Sequence, residues 1–282
     1  MRTLELPGGA TMPAFGLGTW KIGESAGRRA AEVAALRAAI AMGYRLIDSA
    51  QMYGEGGAEE VVGQAVAEAL RAGDVRREAL FIVSKVYPHN ASRAGTPKAC
   101  ARSLARLGLD HIDLYLLHWR GEHPLGDTCE AMQALVAAGK IRHWGVSNFD
   151  TDDMEELAAL ASDCAANQVY YSVAERGPEF SLLPWQHERG IPLMAYSPID
   201  QGALAADAGL QQIAQRLGIG AAQLALAWVL AQPGVAAIPK AVRESHLREN
   251  LAAAALTLHP EVLAEIDRLH PAPRRNRPLA MI

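Results

Sequence analysis

Leu80-Phe81-Ile82-Val83-Ser84-Lys85 and Ile112-Asp113-Leu114-Tyr115-Leu116-Leu117-His118 decide how this chain is read. Each is a short apolar run, strand-like over Leu80–Ser84 and Ile112–Leu117, that stops at an ionisable side chain. The segment between them reads as helix. Thr96-Pro97 has the form of an N-cap followed by proline at the first helical position, and Cys100, Leu104 and Leu107 follow at helical spacing.

The same alternation recurs on both sides. Further strand candidates are Phe15–Gly18, Arg45–Asp48, Trp144–Val146, Gln168–Tyr170, Pro192–Ala195 and Ala236–Ile238, eight with the first two. Arg28–Met42 carries Val33, Leu36 and Ile40 on one helical face, and Gly43 is placed to stop it. Asp150-Thr151-Asp152-Asp153 sets carboxylates at a helix start, where the dipole favours them. Gly139 and Gly190 close the helices before their strands.

Eight such units of about 35 residues predict one α/β domain over residues 1–282, a (β/α)8 TIM barrel. Leu4–Leu6 and Ala10–Met12, flanking Pro7-Gly8-Gly9, predict a β-hairpin that closes the barrel floor. A doubly wound sheet would want G-x-G-x-x-G after its first strand; Gly16 and Gly18 are present, but Lys21 stands at the third position.

Composition agrees with a large core. Of 282 residues, 50% are hydrophobic, 21% charged and only 6% aromatic, so Ala, Val, Leu and Ile must fill the interior. A net charge of −4 and the lack of a basic block beyond Arg274-Arg275-Asn276-Arg277 speak against nucleic acid as a partner. Cys100, Cys129 and Cys164 are an odd number without a C-x-x-C pair, which fits reduced thiols. The start lacks a signal-peptide stretch, and the longest apolar run, Leu224–Ala231, is short of a membrane span. A cytoplasmic monomer without metal is expected.

In a barrel, chemistry gathers where the strands end. The polar residues at those ends are Thr19, Asp48, Lys85, His118, Ser147 with Asn148, Gln168, Tyr196 and Lys240, and Tyr53 follows in the loop after Asp48. Only five of the 27 basic residues are lysine, so Lys85 and Lys240 after strands stand out. Bland readings exist beside these: Lys85 as a solvated loop residue, Tyr196 as a core aromatic, Ser147-Asn148 as a helix cap. His111, His143, His187, His259 and His270 read as caps or surface.

Leu46-Ile47-Asp48-Ser49-Ala50-Gln51-Met52-Tyr53-Gly54, Ser84-Lys85, Leu117-His118-Trp119, Gly145-Val146-Ser147-Asn148-Phe149, Asn167-Gln168-Val169 and Ile238-Pro239-Lys240 together resemble the aldo-keto reductase superfamily, in its order and spacing. Within it the chain is similar to bacterial methylglyoxal reductases. The resemblance implies a catalytic tetrad of Asp48, Tyr53, Lys85 and His118, with Tyr53 as general acid. On this reading Lys85 lowers the phenol's pKa, Asp48 anchors Lys85, and His118 orients a carbonyl.

It further implies NADPH as cofactor, with Ser147, Asn148 and Gln168 on the carboxamide, Tyr196 under the nicotinamide, and Ser197 nearby. Thr19 and Asp48 match ribose contacts, Lys240 the 2′-phosphate and Asn250 the adenine. Ala241 and His246 replace a serine and an arginine common in the family, which makes Arg243 or Arg248 candidates for the phosphate and leaves NADH use open. A short segment after Tyr196 implies a thin strap over the pyrophosphate. Trp20, Tyr87, His118 and Trp119 would wall a small pocket for short aldehydes or α-oxoaldehydes. Two other classes remain in competition: a barrel aldolase with Lys85 as Schiff-base nucleophile, and a non-catalytic barrel that binds nucleotide as a sensor or scaffold.

Overall fold

The structure, a computed structural model, describes residues 2–282. Eight parallel strands follow one another in chain order around a barrel: β3 (Gly16–Gly18), β4 (Leu46–Asp48), β5 (Phe81–Val86), β6 (Ile112–Leu117), β7 (Ile141–Ser147), β8 (Cys164–Tyr170), β9 (Leu193–Tyr196) and β10 (Val235–Ala237). The ring closes where Phe15 pairs with Ala237 and Gly18 with Lys240. Gly18 is needed at that seam, because a Cβ there would lie 2.7 Å from the Ile238 carbonyl oxygen.

Helices wrap the outside: α1 (Arg29–Met42), α2 (Gly57–Ala72), α3 (Gly95–Leu107), α4 (Leu125–Ala137), α5 (Thr151–Leu160), α6 (Leu182–Glu188), α7 (Ala208–Leu217), α8 (Ala221–Ala231), α9 (Glu244–Ala253) and α10 (Pro260–Leu269). Gly43 ends α1 with φ of 109°, as expected. Asp150 caps α5 through a reciprocal pair: its carboxylate accepts from the Asp153 N–H, and the Asp153 carboxylate accepts from the Asp150 N–H. Asp150, not Ser147-Asn148, therefore fills the helix-cap role.

Two apolar layers hold the barrel. Between strands and helices lie side chains such as Ile47, Ile82, Leu117, Val62 and Leu226. Inside the barrel, Leu46, Val83, Leu114, Leu116 and Met194 meet Leu6 and Met12. The last two belong to the N-terminal hairpin, whose antiparallel strands β1 (Thr3–Glu5) and β2 (Thr11–Pro13) pair Leu4 with Met12. The hairpin plugs the floor, and chemistry is left to the opposite end.

Some boundaries differ from the sequence reading. Strand β5 runs through Lys85 to Val86, so Lys85 is a strand residue and wholly buried, not a solvated loop residue. Strands β7 and β8 start earlier than expected, since Arg142–His143 and Cys164–Asn167 carry little apolar pattern; His143 pairs with Leu114, and Cys164 and Asn167 pair with Trp144 and Val146 across a shift in register. Thr96 does not cap α3: it is buried in the first turn and donates its hydroxyl to the Ser92 carbonyl, while the Ser92 hydroxyl accepts from the Gly95 N–H. No single helix is long and apolar enough to cross a membrane among the described residues.

Candidate active site

The ends of the strands surround a cavity of about 910 Å³. Gly18, Asp48, His118, Ser147 with Asn148, Gln168, Tyr196 and Lys240 all reach it, each from the end of a different strand. Strand direction puts these residues at one opening, as the barrel reading requires.

At the deep end, Lys85 Nζ lies 2.8 Å from both carboxylate oxygens of Asp48, 3.0 Å from the Ser49 carbonyl and 3.2 Å from Tyr53 Oη. Three ammonium protons thus meet three partners. Gln168 Nε2 adds a further hydrogen bond to Asp48 Oδ1 at 2.8 Å. Burial lowers the proton affinity of Lys85, and the Asp48 carboxylate works against that loss. Tyr53 is pushed well above the ordinary phenol range, first by burial and then by Asp48. The phenol is therefore held protonated, as a general acid must be before it acts.

Tyr53 and His118 face the cavity, and their rings meet edge-on with centroids 5.7 Å apart. Burial, then the Lys85 charge, drives His118 well below the ordinary imidazole range, so its ring is neutral. Nδ1 is buried without a partner. A bare acceptor lone pair costs less there than a bare N–H, which favours the tautomer with its proton on Nε2. Lys85 does not line the cavity. Its three engaged protons and full burial leave no approach for a carbonyl carbon, so the Schiff-base arrangement lacks geometric support.

Asn148, at φ of 59°, donates from Nδ2 to the His118 carbonyl and to Ser147 Oγ, and its Oδ1 accepts from Tyr196 Oη at 2.9 Å. Tyr196 is half-buried on the cavity wall and so is not a core aromatic. At the far end stand Lys21, Lys240, Arg243, His246, Glu249 and Asn250. Lys240 is shifted down by partial burial, with Arg28 and Lys21 adding like-charge repulsion against Glu32 and Glu24. Lys21, Lys240 and Arg243 set three cations on the lining there against one carboxylate, Glu249.

Three anticipated contacts lie elsewhere. Thr19 is buried behind the wall, its hydroxyl donating to the Asp48 carbonyl at 2.9 Å. Tyr87 sits outside the lining, directed toward Glu55 and edge-on to Trp119. Arg248 points to solvent and pairs with Glu244 of its own helix. Trp20 and Trp119 do line the cavity, as do Met52, Met281 and Ile282, which the sequence reading did not select. Lys21 also went unselected, although it is one of only five lysines and follows the first barrel strand. Among the described residues, no group of three His, Cys, Asp or Glu side chains is placed to hold a metal.

Comparison with known proteins agrees with this geometry. The sequence model described as the Aldo/keto reductase family matches residues 14–271. The chain is 46% identical to the methylglyoxal reductase YeaE of Escherichia coli (strain K12), covering 100% of this chain and 99% of that one. It is 39% identical to the glyoxal reductase of Bacillus subtilis (strain 168), covering 95% and 92%. Among solved structures, an aldo-keto reductase from Klebsiella pneumoniae in complex with NADPH superimposes with a TM-score of 0.94 at 49% identity, over 100% of this chain and 99% of that chain. With a matching family model, full-length relatives and an eight-stranded barrel, the chain belongs to the aldo/keto reductase family.

Proposed function

We propose that this protein is an NADPH-dependent reductase of small aldehydes and α-oxoaldehydes, built as one domain over residues 1–282, with Tyr53 as the general acid. The observation that carries the reading is the contact of Tyr53 Oη with Lys85 Nζ at 3.2 Å, beside a neutral His118, in a cavity whose far end is cationic. The fit to NADPH rests on that shape. Lys240, Arg243 and Lys21 offer charge for phosphates, Tyr196 a flat surface for a ring, and Ser147, Asn148 and Gln168 polar atoms for an amide.

When bound, the cofactor supplies a hydride to carbonyl carbon. The protein's own task is the oxygen. His118 donates its Nε2–H to the carbonyl and holds it against Tyr53. Tyr53 then transfers its phenolic proton to the oxygen. The phenolate left behind faces the Lys85 ammonium, which Asp48 keeps charged and aimed, so charge is stabilised only as the proton leaves. Trp20, Met52, Trp119, Met281 and Ile282 give the reacting end an apolar wall, which suits short carbonyl compounds. Ala241 is buried, so of the two positions that depart from the family pattern only His246 faces the cavity, beside Arg243. Arg243 is the side chain best placed to assist Lys240 at a 2′-phosphate. Three free buried thiols fit a reducing cytoplasm, and a monomer needs no further surface.

NADPH oxidation with methylglyoxal, compared between the native protein and Tyr53→Phe, tests the reading. Turnover that collapses about 10²- to 10⁴-fold in the variant, with NADPH binding kept, is expected. Equal rates would remove Tyr53 as the acid. NADPH binding without turnover of any aldehyde by the native protein would favour the sensor reading instead.

A further inference from the structure

Behind the cavity wall lies a second tyrosine that the chemistry above does not use. Tyr170, the last residue of β8, is buried and stacks on Tyr196, with centroids 5.8 Å apart and planes 16° from parallel. It does not line the cavity; Tyr196 does. Its hydroxyl donates to Asp200 Oδ1. Burial, and then that hydrogen bond, hold the Tyr170 proton above the ordinary phenol range, so the group is a donor at any working pH.

Asp200 belongs to an unusual turn. Ser197, Asp200, Gln201 and Gly202 have φ of 47°, 49°, 50° and 99°. Three of the four carry a Cβ, and left-handed backbone at such residues persists only where neighbours hold it. The same turn gives Ser197, Pro198, Ile199, Gln201 and Gly202 to the cavity wall. Tyr170 thus touches both the platform and the strap that continues from it. On the other edge, Tyr196 Oη is tied to Asn148, and Asn148 to the backbone of His118.

We propose that Tyr170 is a positioning residue for the cofactor, its ring fixing the plane of Tyr196 and its hydroxyl latching the 197–202 strap through Asp200. This rests on the NADPH reading above. A stacking platform works only if its ring does not tilt, and a second parallel ring behind it removes that freedom. The strap's left-handed residues have a standing tendency to relax, and the Asp200 bond opposes it from outside the cavity. Holding the strap shut slows cofactor departure more than it alters arrival, since most affinity differences at one site lie in the off-rate.

The test uses Tyr170→Phe, which keeps the stack and loses the hydroxyl, with Asp200→Ala and Asp200→Asn. NADPH binding is read by quenching of tryptophan fluorescence, and its release by stopped-flow displacement with no aldehyde present. Tyr170→Phe and Asp200→Ala are each expected to speed release about tenfold, roughly the effect of one lost charge-assisted hydrogen bond. The double variant should be no faster than either single, and Asp200→Asn, which retains an acceptor, should stay within about twofold of the native rate. Unchanged release in Tyr170→Phe and Asp200→Ala, even with a lowered melting temperature, would reduce Tyr170 to a structural side chain and overturn the proposal. A native protein that shows no quenching by NADPH would overturn the cofactor reading itself, and that result appears before any variant is made.

Discussion

Lys85 and Asp48 form a two-pronged ion pair, 2.8 Å from the ammonium to each carboxylate oxygen, with Lys85 wholly buried and Asp48 nearly so at the edge of the cavity. The two residues come from neighbouring strands whose register sets Asp48 beside Val83, two places before Lys85. Coulomb attraction alone does not make such a pair a stabilising device, because both ions surrender their hydration. Its position under Tyr53 gives a reason to keep it.

That asymmetry predicts a separation of stability from activity. Asp48→Leu alone leaves a buried ammonium unpaired and should cost about 3–5 kcal/mol, read as a shift of the urea midpoint. Asp48→Leu with Lys85→Met replaces both charges and should recover most of that loss. Reductase activity should remain down by at least about 10²-fold in both. Recovery of activity with stability would refute a chemical role for the pair.

His118 makes a pH prediction whose sign follows from its direction of shift. Its native pKa is depressed, so below the ordinary imidazole value of about 6.5 the unfolded chain binds more protons than the native one. Stability is full above that value and falls as pH drops beneath it. His111 and His143 are also lowered, the first by burial and Arg77, the second mainly by burial, and act in the same sense. His118→Phe should therefore flatten part of the acid loss, measured as urea-unfolding free energy between about pH 6.5 and 5.

At the phosphate end the structure separates two arginines that the sequence left equivalent. Arg243 lines the cavity; Arg248 pairs with Glu244 outside it. Arg243→Ala and Lys240→Ala should each weaken NADPH binding about tenfold or more while leaving NADH nearly unchanged. Arg248→Ala should change neither. Titration calorimetry with both nucleotides checks this, and a matching loss for NADH would show that the cations serve the pyrophosphate instead.

Away from the cavity, Glu59 on α2 is fully buried against Arg106 of α3 and the Ser84 hydroxyl. Arg106→Leu should destabilise the fold by about 3–5 kcal/mol, because it strands a carboxylate. Substituting Glu59→Gln as well should restore part of the loss, observable in thermal unfolding. If Arg106→Leu alone is neutral, water must reach Glu59.

Much of this protein could be read from its residues. The eight short apolar runs, each with a polar residue at or near its end, predicted the barrel, because burial on the barrel side and the helix side forces each strand toward apolar character while its end faces the loops. The hairpin at the floor, the stop at Gly43 and the Asp150 start of α5 are local events, and local chemistry determined them. Strand lengths were less legible. Cys164-Ala165-Ala166-Asn167 pairs as strand only because its neighbours supply partners, which no short window contains.

The sequence by itself determined which groups could do chemistry: an aspartate, a lysine and a histidine at or near successive strand ends, a tyrosine in the loop after the first of them, and cations after the last strand. Only the tertiary structure decided what state those groups take and which of them face one space. Burial, a property of the packed barrel, holds Tyr53 protonated and His118 neutral and hides Lys85 behind the wall. Long-range packing likewise brings Lys21, Met281 and Ile282 to the cavity, turns Thr19 and Arg248 away from it, and sets Tyr170 behind Tyr196. Desolvation and contact depend on the whole fold, and residue order carries them only through it.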